Sequence, residues 1–474
     1  MVIDDIIYDA QQKTVDINAE ELIRIGFLPK NGLFFPSILY PPVIKNSSIT
    51  EEAFFTNYQR SGSFVVYAHI PFCVKRCNYC HYVTKTAPSF VEIDAYLNAL
   101  EQEMDLYLKR LSLSKIPTAA VLIGGGTATH MTPAQMERFL LAFTKRLDLS
   151  SCEQFAVDTD PTTILGAEGI EKIKTLVRYG ANRITIGVQT FDDALLTKMN
   201  RSHTADEARS AIRSAREHGF NDICVDLIYG YPGQTLEGWV DTIRHVIELD
   251  VESFQIYQLY IRPHCFNYAP IWVRYNRSPD EFPGIDDLVR MKAAAIFLAN
   301  NYGYHDEQHN YLFSKENNTA SQYFEKRFAR SYDTLGFGLS AHNKLGGSIA
   351  VKEYASITRY CSEVAAGRIP FVRGKVGTLD DILRRMVIGT LRNRRLLSKE
   401  EYRASTGSNI NDVFAGKIDL LKKHGLLTED EKQLYVTQRG YYFADALCFQ
   451  FHHPDHMPFE RSDYSNGELN PYAS

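Results

Sequence analysis

From residue 63 the chain alternates short apolar, β-branched runs with longer stretches whose apolar positions recur every three or four residues. The runs SFVVYAHI (63–70), TAAVLIG (118–124), QFAVD (154–158), NRITIGVQ (182–189), DICVDLIYG (222–230) and SFQIYQLY (253–260) read as strands. Residues 91–111, 133–147, 164–178, 204–218 and 235–248 read as amphipathic helices between them. In 92–111, Ile93, Leu97, Leu100, Met104, Leu108 and Leu111 fall at helical steps. Six βα repeats with near-continuous apolar strands predict a parallel sheet. Right-handed crossovers curl such a sheet into an open barrel. The predicted fold is therefore α/β, a partial (β/α)6 TIM-like barrel over 61–300. An N-terminal extension (1–60) precedes it. A connecting region that completes the barrel (301–375) and a helical, winged-helix-like C-terminal domain with a tail (376–474) follow.

Polar residues break the apolar pattern where the strands end, and in such barrels that rim holds the active site. Gly124-Gly125-Gly126-Thr127 follows strand two. Asp158-Thr159-Asp160 closes strand three and Gln189 closes strand four. Strand five carries Asp226, and strand six ends at Tyr260. A glycine run after a strand is either a tight turn or a place where backbone approaches a ligand closely. Its position just downstream of the cysteine-bearing loop favours the ligand.

Length and charge narrow the class. The chain has 474 residues, 45% of them hydrophobic, enough for two or three domains with full cores. A formal net charge of −5 provides no global basic field for nucleic acid or a membrane surface. No apolar run reaches the roughly 18 residues of a membrane span, and MVIDDIIYDAQQ lacks the apolar region of a secretory signal. Eight cysteines scattered over this length do not form a disulfide framework, so a reducing cytoplasm is the expected location.

Three of those cysteines are not scattered. YAHIPFCVKRCNYCHY (67–82) places Cys73, Cys77 and Cys80 as C-x3-C-x2-C. Structural zinc takes four ligands, usually from paired knuckles, and no second C-x2-C exists. His69 and His81 flank the triplet as the only nearby completion of a zinc site. The alternative is a cubane cluster, whose four irons are normally each held by a thiolate. Three thiolates leave one iron open to an exogenous ligand.

That spacing resembles the signature of the radical S-adenosylmethionine (SAM) superfamily. YAHIPFC, GGGT, IGVQTF with Asn200-Arg201 beyond it, and DLIYGYPGQT extend the resemblance to the oxygen-independent coproporphyrinogen III dehydrogenase-like family, which includes methylases and cyclopropanases. The resemblance implies a radical SAM barrel with a [4Fe–4S] cluster on Cys73, Cys77 and Cys80. It implies a SAM on the open iron, contacted by Tyr67 and Tyr79, and generation of a 5′-deoxyadenosyl radical. It also implies a second SAM, with contacts at Gln189, Arg201 and Asp226 and with Gly125, Gly126, Thr127 and Tyr260 nearby. Asp158 matches a glutamate of the family that binds the first SAM, and Asp160 is a rival. His342, in the glycine-rich stretch LGFGLSAHN, stands where the dehydrogenase has an apolar residue. It reads either as a solvent-facing loop histidine or as a SAM contact handling protons, so Tyr67 and His342 are the candidate catalytic residues. Tyr82 occupies the place of a fourth cysteine in the dehydrogenase pattern. With that mark absent, the leading expectation is two-SAM carbon methylation or cyclopropanation of an unsaturated small molecule. The alternatives are oxidative decarboxylation of coproporphyrinogen III, and a heme chaperone or heme-opening methylase. The expected partners are a small-molecule substrate and an electron donor such as flavodoxin or ferredoxin, with neither nucleic acid nor membrane.

The extension contains an apolar, proline-broken segment, FFPSILYPPVI (34–44), read as a packing strap. Beyond residue 376, helix, helix and short hairpin also suit a DNA-binding module, with Arg384, Arg385, Arg392, Arg394 and Arg395 as its basic face. Asp380, Asp381, Glu400 and Glu401 flank the run, so acidic substrate groups are the preferred partners of those arginines. The tail after 451 holds His452, His453 and His456 and reads as loosely ordered, without a metal.

Overall fold

The computed structural model describes residues 2–31, 39–42, 46–59, 62–261, 270–309, 311–315 and 321–473. Cys265 and most of the apolar segment 34–44 lie outside them. The main sheet comprises, in chain order, β1 (Phe64–Ile70), β2 (Ile116–Gly125), β3 (Gln154–Thr159), β4 (Arg183–Gln189), β5 (Ile223–Tyr229), β6 (Ser253–Gln258), β7 (Tyr304–His309), β8 (Leu312–Lys315), β9 (Thr334–Phe337), β10 (His342–Leu345), β11 (Ser348–Lys352) and β12 (Phe371–Lys375). Their spatial order is β7-β8-β6-β5-β4-β3-β2-β1-β9-β10-β11-β12, and the short strand Leu147–Asp148 pairs with β2 off this path. All six predicted strands are present and run parallel. A seventh, β9, joins β1 in parallel on the side away from β2. Its four residues, TLGF, carry too little pattern to be read alone. Antiparallel strands extend both ends, and the two ends of the sheet are not hydrogen-bonded to each other.

The strands alternate in a way that their apolar appearance conceals. One face of β3 to β6 presents Phe155, Val157, Ile184, Ile186, Val188, Ile223, Val225, Leu227, Phe254 and Ile256. These merge into one core with Leu100, Met104, Phe139, Leu140, Ile173, Leu176, Ile212 and Ile243 of the covering helices. Side chains on the other face alternate with these. There the register sets Asp158 beside Thr185 and Asp226 beside Gln255. The covering helices start at reciprocal caps, Ser89 with Glu92, Thr132 with Gln135 and Thr204 with Glu207, each satisfying two otherwise unpaired backbone donors. No helix among the described residues is long and apolar enough to cross a membrane.

The helix Leu379–Arg394 lies across the open side of the sheet. Near its start Arg385 donates to the carbonyl of Gly347, in the β10–β11 turn, at 3.0 Å. Just past its end Arg395 pairs with Asp306 on β7 at 3.2 Å. In between, Gly389 passes the π-helical turn Glu325–Ala329 so closely that a Cβ there would lie 2.2 Å from the Phe328 carbonyl. The predicted basic face is thus turned inward. Arg384 pairs with Asp380, Arg392 with Asp445, and Arg394 with Glu325 and Glu401. Four of the five arginines meet protein carboxylates rather than an acidic ligand. Beyond this helix, two helices (Lys399–Thr406 and Ile410–Lys423) and a three-stranded antiparallel sheet (Leu396–Ser398, Gln433–Val436, Leu427–Glu429) give the order of a winged helix.

The tail differs from its polar composition. Met457, Phe459, Tyr464 and Leu469 are buried. The Leu469 amide donates to the Ile25 carbonyl and the Lys30 amide to that of Asp463, so the tail packs on the N-terminal segment. His452 and His456 stand edge-on to Tyr40. Among the described residues, no three metal-ligating side chains converge as they would on one ion.

Behind β1 and β9 a charge pair is sealed from water. Lys352 and Glu103 are 0% exposed and directly paired. Glu103 also accepts from the Gly338 amide and the Tyr360 hydroxyl, each at 2.7 Å. Removing one partner strands the other charge, a loss of about 3–5 kcal/mol, whereas replacing both with apolar groups is often near neutral. Glu103→Leu is expected to destabilise by about that amount in urea unfolding, and Glu103→Leu with Lys352→Met to recover much of it. Equal losses in the single and double variants would show that the pair is not the source.

Candidate active site

The cysteine loop leaves β1 at Ile70 with little regular structure of its own, so neighbours hold its shape. On one side the glycine run supports it: the Gly126 amide donates to the Ile70 carbonyl at 2.8 Å and the Thr127 amide to that of Phe72 at 2.7 Å. A Cβ on Gly126 would meet those carbonyls at 2.9 and 2.7 Å. Gly125, at φ +111°, abuts the His69 ring. Thr127 Oγ1 lies 3.8 Å from Cys73 Sγ. The glycines expected to admit a ligand therefore admit the cysteine loop's own backbone.

On the other side the segment after Met199 clasps the loop. The Asn78 amide donates to the Met199 carbonyl at 3.0 Å, and Asn200, at φ +59°, donates to the Arg76 carbonyl at 2.7 Å. Arg201 then reaches in. Its Nη1 donates to Cys77 Sγ at 3.1 Å and lies 3.4 Å from the Tyr79 hydroxyl. Its Nη2 donates to Asp160 Oδ2 at 2.9 Å and to the Gly187 carbonyl at 2.5 Å. The carboxylate partner of Arg201 is thus Asp160, not Asp226. Asp160 is also oriented by Thr162 at 2.7 Å, and despite its burial Arg201 holds it below the usual carboxylate range. Gln189, at φ +72°, closes β4 beyond a register shift at Gly187.

Asp158 sits one pleat deeper, under Gly124. Burial pushes its carboxyl up to about 7. Burial, and then the charge of Asp158, raise Asp226 well above the carboxylate range, and its Oδ1 is buried without a hydrogen-bond partner. Tyr67 points its hydroxyl at His69 Nδ1, 2.9 Å away. His69 Nε2 donates to the Val83 carbonyl at 3.1 Å, so Nδ1 accepts from Tyr67. Burial drives that imidazole down to about 4. His81 donates to the Tyr260 carbonyl at 2.7 Å. Both histidines of a zinc reading are thus engaged elsewhere. Tyr260 lies two residues past β6. His342 is on a strand, β10, not in a turn, and lines a separate cavity beside the site.

The donor set suits an iron–sulfur cluster. Three half-buried cysteines share one loop, with a guanidinium at Cys77 to balance thiolate charge. Burial pushes the Cys73 thiol up to about 11 and that of Cys80 to about 12, so ligation displaces protons. Asp160, which sequence offered only as a rival, is the residue that orients Arg201. Its signal was the position two residues past Asp158, on the same side of the chain.

Two substitutions separate the acids. Asp160→Asn removes a charge-assisted bond and should cost about 1.5–3 kcal/mol in urea unfolding. Asp158, raised to about 7 in the folded chain, keeps its proton where the unfolded chain, with a pKa of about 3.9, releases it. It therefore contributes stability that is lost as pH rises between about 4 and about 7. Asp158→Asn should flatten that slope, and adding Asp226→Asn should flatten it further. An unchanged slope would contradict the burial of these carboxyls.

Comparison with known proteins agrees with this geometry. Residues 67–246 match the radical SAM superfamily and 378–443 match the HemN C-terminal domain. The chain is 31% identical over 385 residues to the heme chaperone HemW of Bacillus subtilis, covering 79% of this chain and 95% of that protein. It is 27% identical over 432 residues to the oxygen-independent coproporphyrinogen III oxidase of Escherichia coli, covering 87% and 91%. The solved structure of coproporphyrinogen III oxidase (HemN) from Escherichia coli superposes with a TM-score of 0.75 at 25% identity, over 87% of this chain and 96% of that one. These relatives favour porphyrinogen oxidation or heme handling over the expected methylation or cyclopropanation, which finds no support among them. The chain belongs to the radical SAM superfamily, whose cofactors are a [4Fe–4S] cluster and SAM, and within it to the group of the oxygen-independent coproporphyrinogen III oxidases and HemW.

Proposed function

We propose that the protein is a radical SAM oxidoreductase acting on a propionate-bearing porphyrinogen, converting propionate to vinyl groups without oxygen. The observation that carries this reading is the extent of the likeness to coproporphyrinogen III oxidase, which spans 87% of the chain and includes the C-terminal domain. In this reading Cys73, Cys77 and Cys80 hold the cluster. Bound there with SAM, the cluster supplies a 5′-deoxyadenosyl radical on receiving an electron from a donor of the flavodoxin or ferredoxin kind. Arg201, fixed by Asp160 and the Gly187 carbonyl, keeps positive charge on the Cys77 sulfur. Tyr67 and Tyr79 wall the reacting space and exclude water. Asp226, its Oδ1 unpartnered, offers an acceptor to the ammonium end of a second SAM, and Gln189 lines the same side. Each propionate gives up a β-hydrogen atom to the radical. It then loses carbon dioxide and passes one electron to an acceptor.

A second reading, heme binding without turnover, is favoured by Tyr82. This residue replaces the fourth cysteine and is exposed on the rim near Tyr67, and the relative at 31% identity is a heme chaperone. Anaerobic incubation of the reconstituted protein with coproporphyrinogen III, SAM and a low-potential reductant separates the two. Protoporphyrinogen with 5′-deoxyadenosine and carbon dioxide supports the first. Hemin binding with no such product supports the second.

The cluster assignment has its own test. Alanine at Cys73, Cys77 or Cys80 is expected to abolish the visible cluster absorbance after reconstitution and SAM cleavage with it. Alanine at Cys152, Cys224, Cys361 or Cys448 is expected to leave both in place. A triple variant that still takes up about four irons would overturn the assignment.

A further inference from the structure

Beneath the crossing helix lies an open-sided cavity of about 560 Å³ that borders the candidate active site. We propose that it receives a carboxylate-bearing arm of the substrate, with Arg327, Lys344 and Arg385 as the receptor. The three cations come from three elements: the π-helical turn Glu325–Ala329, β10 and the crossing helix.

What sets them apart is the absence of counter-charge. The other arginines of the crossing helix and its end each pair with a protein carboxylate. Arg327, Lys344 and Arg385 have no described carboxylate within 4.0 Å and donate only to neutral acceptors. Arg327 reaches the Tyr323 hydroxyl at 2.5 Å and Lys344 the Ser331 hydroxyl at 2.7 Å. Arg385 reaches the carbonyls of Tyr40 and Gly347 at 2.9 and 3.0 Å. Asp333 is the nearest acid in electrostatic reach, and one of its oxygens already accepts from the Gly346 amide at 3.0 Å. Burial and the neighbouring guanidiniums push Lys344 well below the usual ammonium range, and burial lowers Arg385 to about 10. Three like charges around one cavity oppose one another until an anion enters. A purely structural role accounts for Arg385, which ties the helix to two carbonyls. It does not account for Lys344, or for Arg327, which lies along the rings of Phe328, Tyr323 and Tyr67 at 5.0, 5.5 and 5.9 Å.

The last of those contacts gives the cavity its place in the reaction. A carboxylate held by Arg327 lies on the far side of that guanidinium from Tyr67, so the rest of the molecule extends toward the cysteine loop. Apolar walls from Phe328 and Ile388 suit the hydrocarbon part of such an arm. A guanidinium matches a carboxylate with two parallel bonds, and an ammonium adds a point charge.

This inference rests on the porphyrinogen reading, so the test keeps the two apart. Binding of coproporphyrin III and of its tetramethyl ester is measured by fluorescence for the reconstituted protein and for Lys344→Met, Arg327→Gln, the double variant and Lys344→Arg. Circular dichroism and cluster absorbance monitor the fold. The expected result is tight binding of the acid and weak binding of the ester. Acid affinity should fall roughly tenfold for each single variant and further for the double, as loss of a charge-assisted contact implies. Lys344→Arg should retain affinity and ester binding should not change. Acid and ester bound equally well, or folded variants that bind the acid like the parent, would overturn the receptor and leave the porphyrinogen reading standing. No binding of either by the parent would overturn both.

Discussion

A loop of irregular backbone has to present three sulfurs in a fixed arrangement, and Arg201 is the side chain on which that depends. One nitrogen touches Cys77 Sγ and nears Tyr79, while the other is held by Asp160 and the Gly187 carbonyl. The guanidinium therefore couples the loop to β4 and to the end of β3. A buried cation between sulfur and carboxylate is favourable only while both remain. The geometry of the sulfurs and the local charge are thus set by one group, and Asn200 and Asn78 lock the surrounding backbone to it.

Strand alternation explains how so polar a centre fits inside so apolar a chain. The outer face of β3 to β6 carries the core, while the inner face carries Asp158, Thr185, Asp226 and Gln255. Two carboxyls with raised affinity for protons share that inner face with Arg183, itself paired with Asp222 at 2.6 Å and bonded to Ser253 at 2.8 Å. Such a lining is costly without ligands that supply matching charge. The sheet that organises the core therefore also prepares a surface for charged small molecules.

Much of this architecture was legible in the chain. The six parallel strands and the covering helices follow from apolar periodicity, and the cluster ligands from spacing. What escaped was set by long-range packing. β9 is too short to signal itself. Its pairing with β1 moves His342 from a supposed turn onto a strand lining a cavity with Lys344. The partner of Arg201 could not be chosen between acids two residues apart, because strand geometry puts both on one side and only depth separates them. The tail reads as polar, but its few large residues, Met457, Phe459 and Tyr464, find a niche created by the N-terminal segment some four hundred positions earlier. The five arginines near 390 look like one basic face in sequence. In space each has a separate task, and four are neutralised by acids from other segments.

That division of arginines bears on how the C-terminal domain serves the site. Arg392 and Tyr311 both engage Asp445, and Tyr260 lies within the field of that group. The Tyr260 carbonyl in turn accepts from His81, one residue past Cys80. A continuous set of polar contacts thus runs from the crossing helix to the cysteine loop along the β6 side of the gap. On the β10 side the same helix reaches the site through Arg385, Lys344 and Arg327, which remain uncompensated. One helix accordingly has a fully neutralised half that fixes the rim and a half that retains charge. A domain serving only to close the barrel would have been neutralised along both halves. The retained charge is the feature that closure alone does not explain.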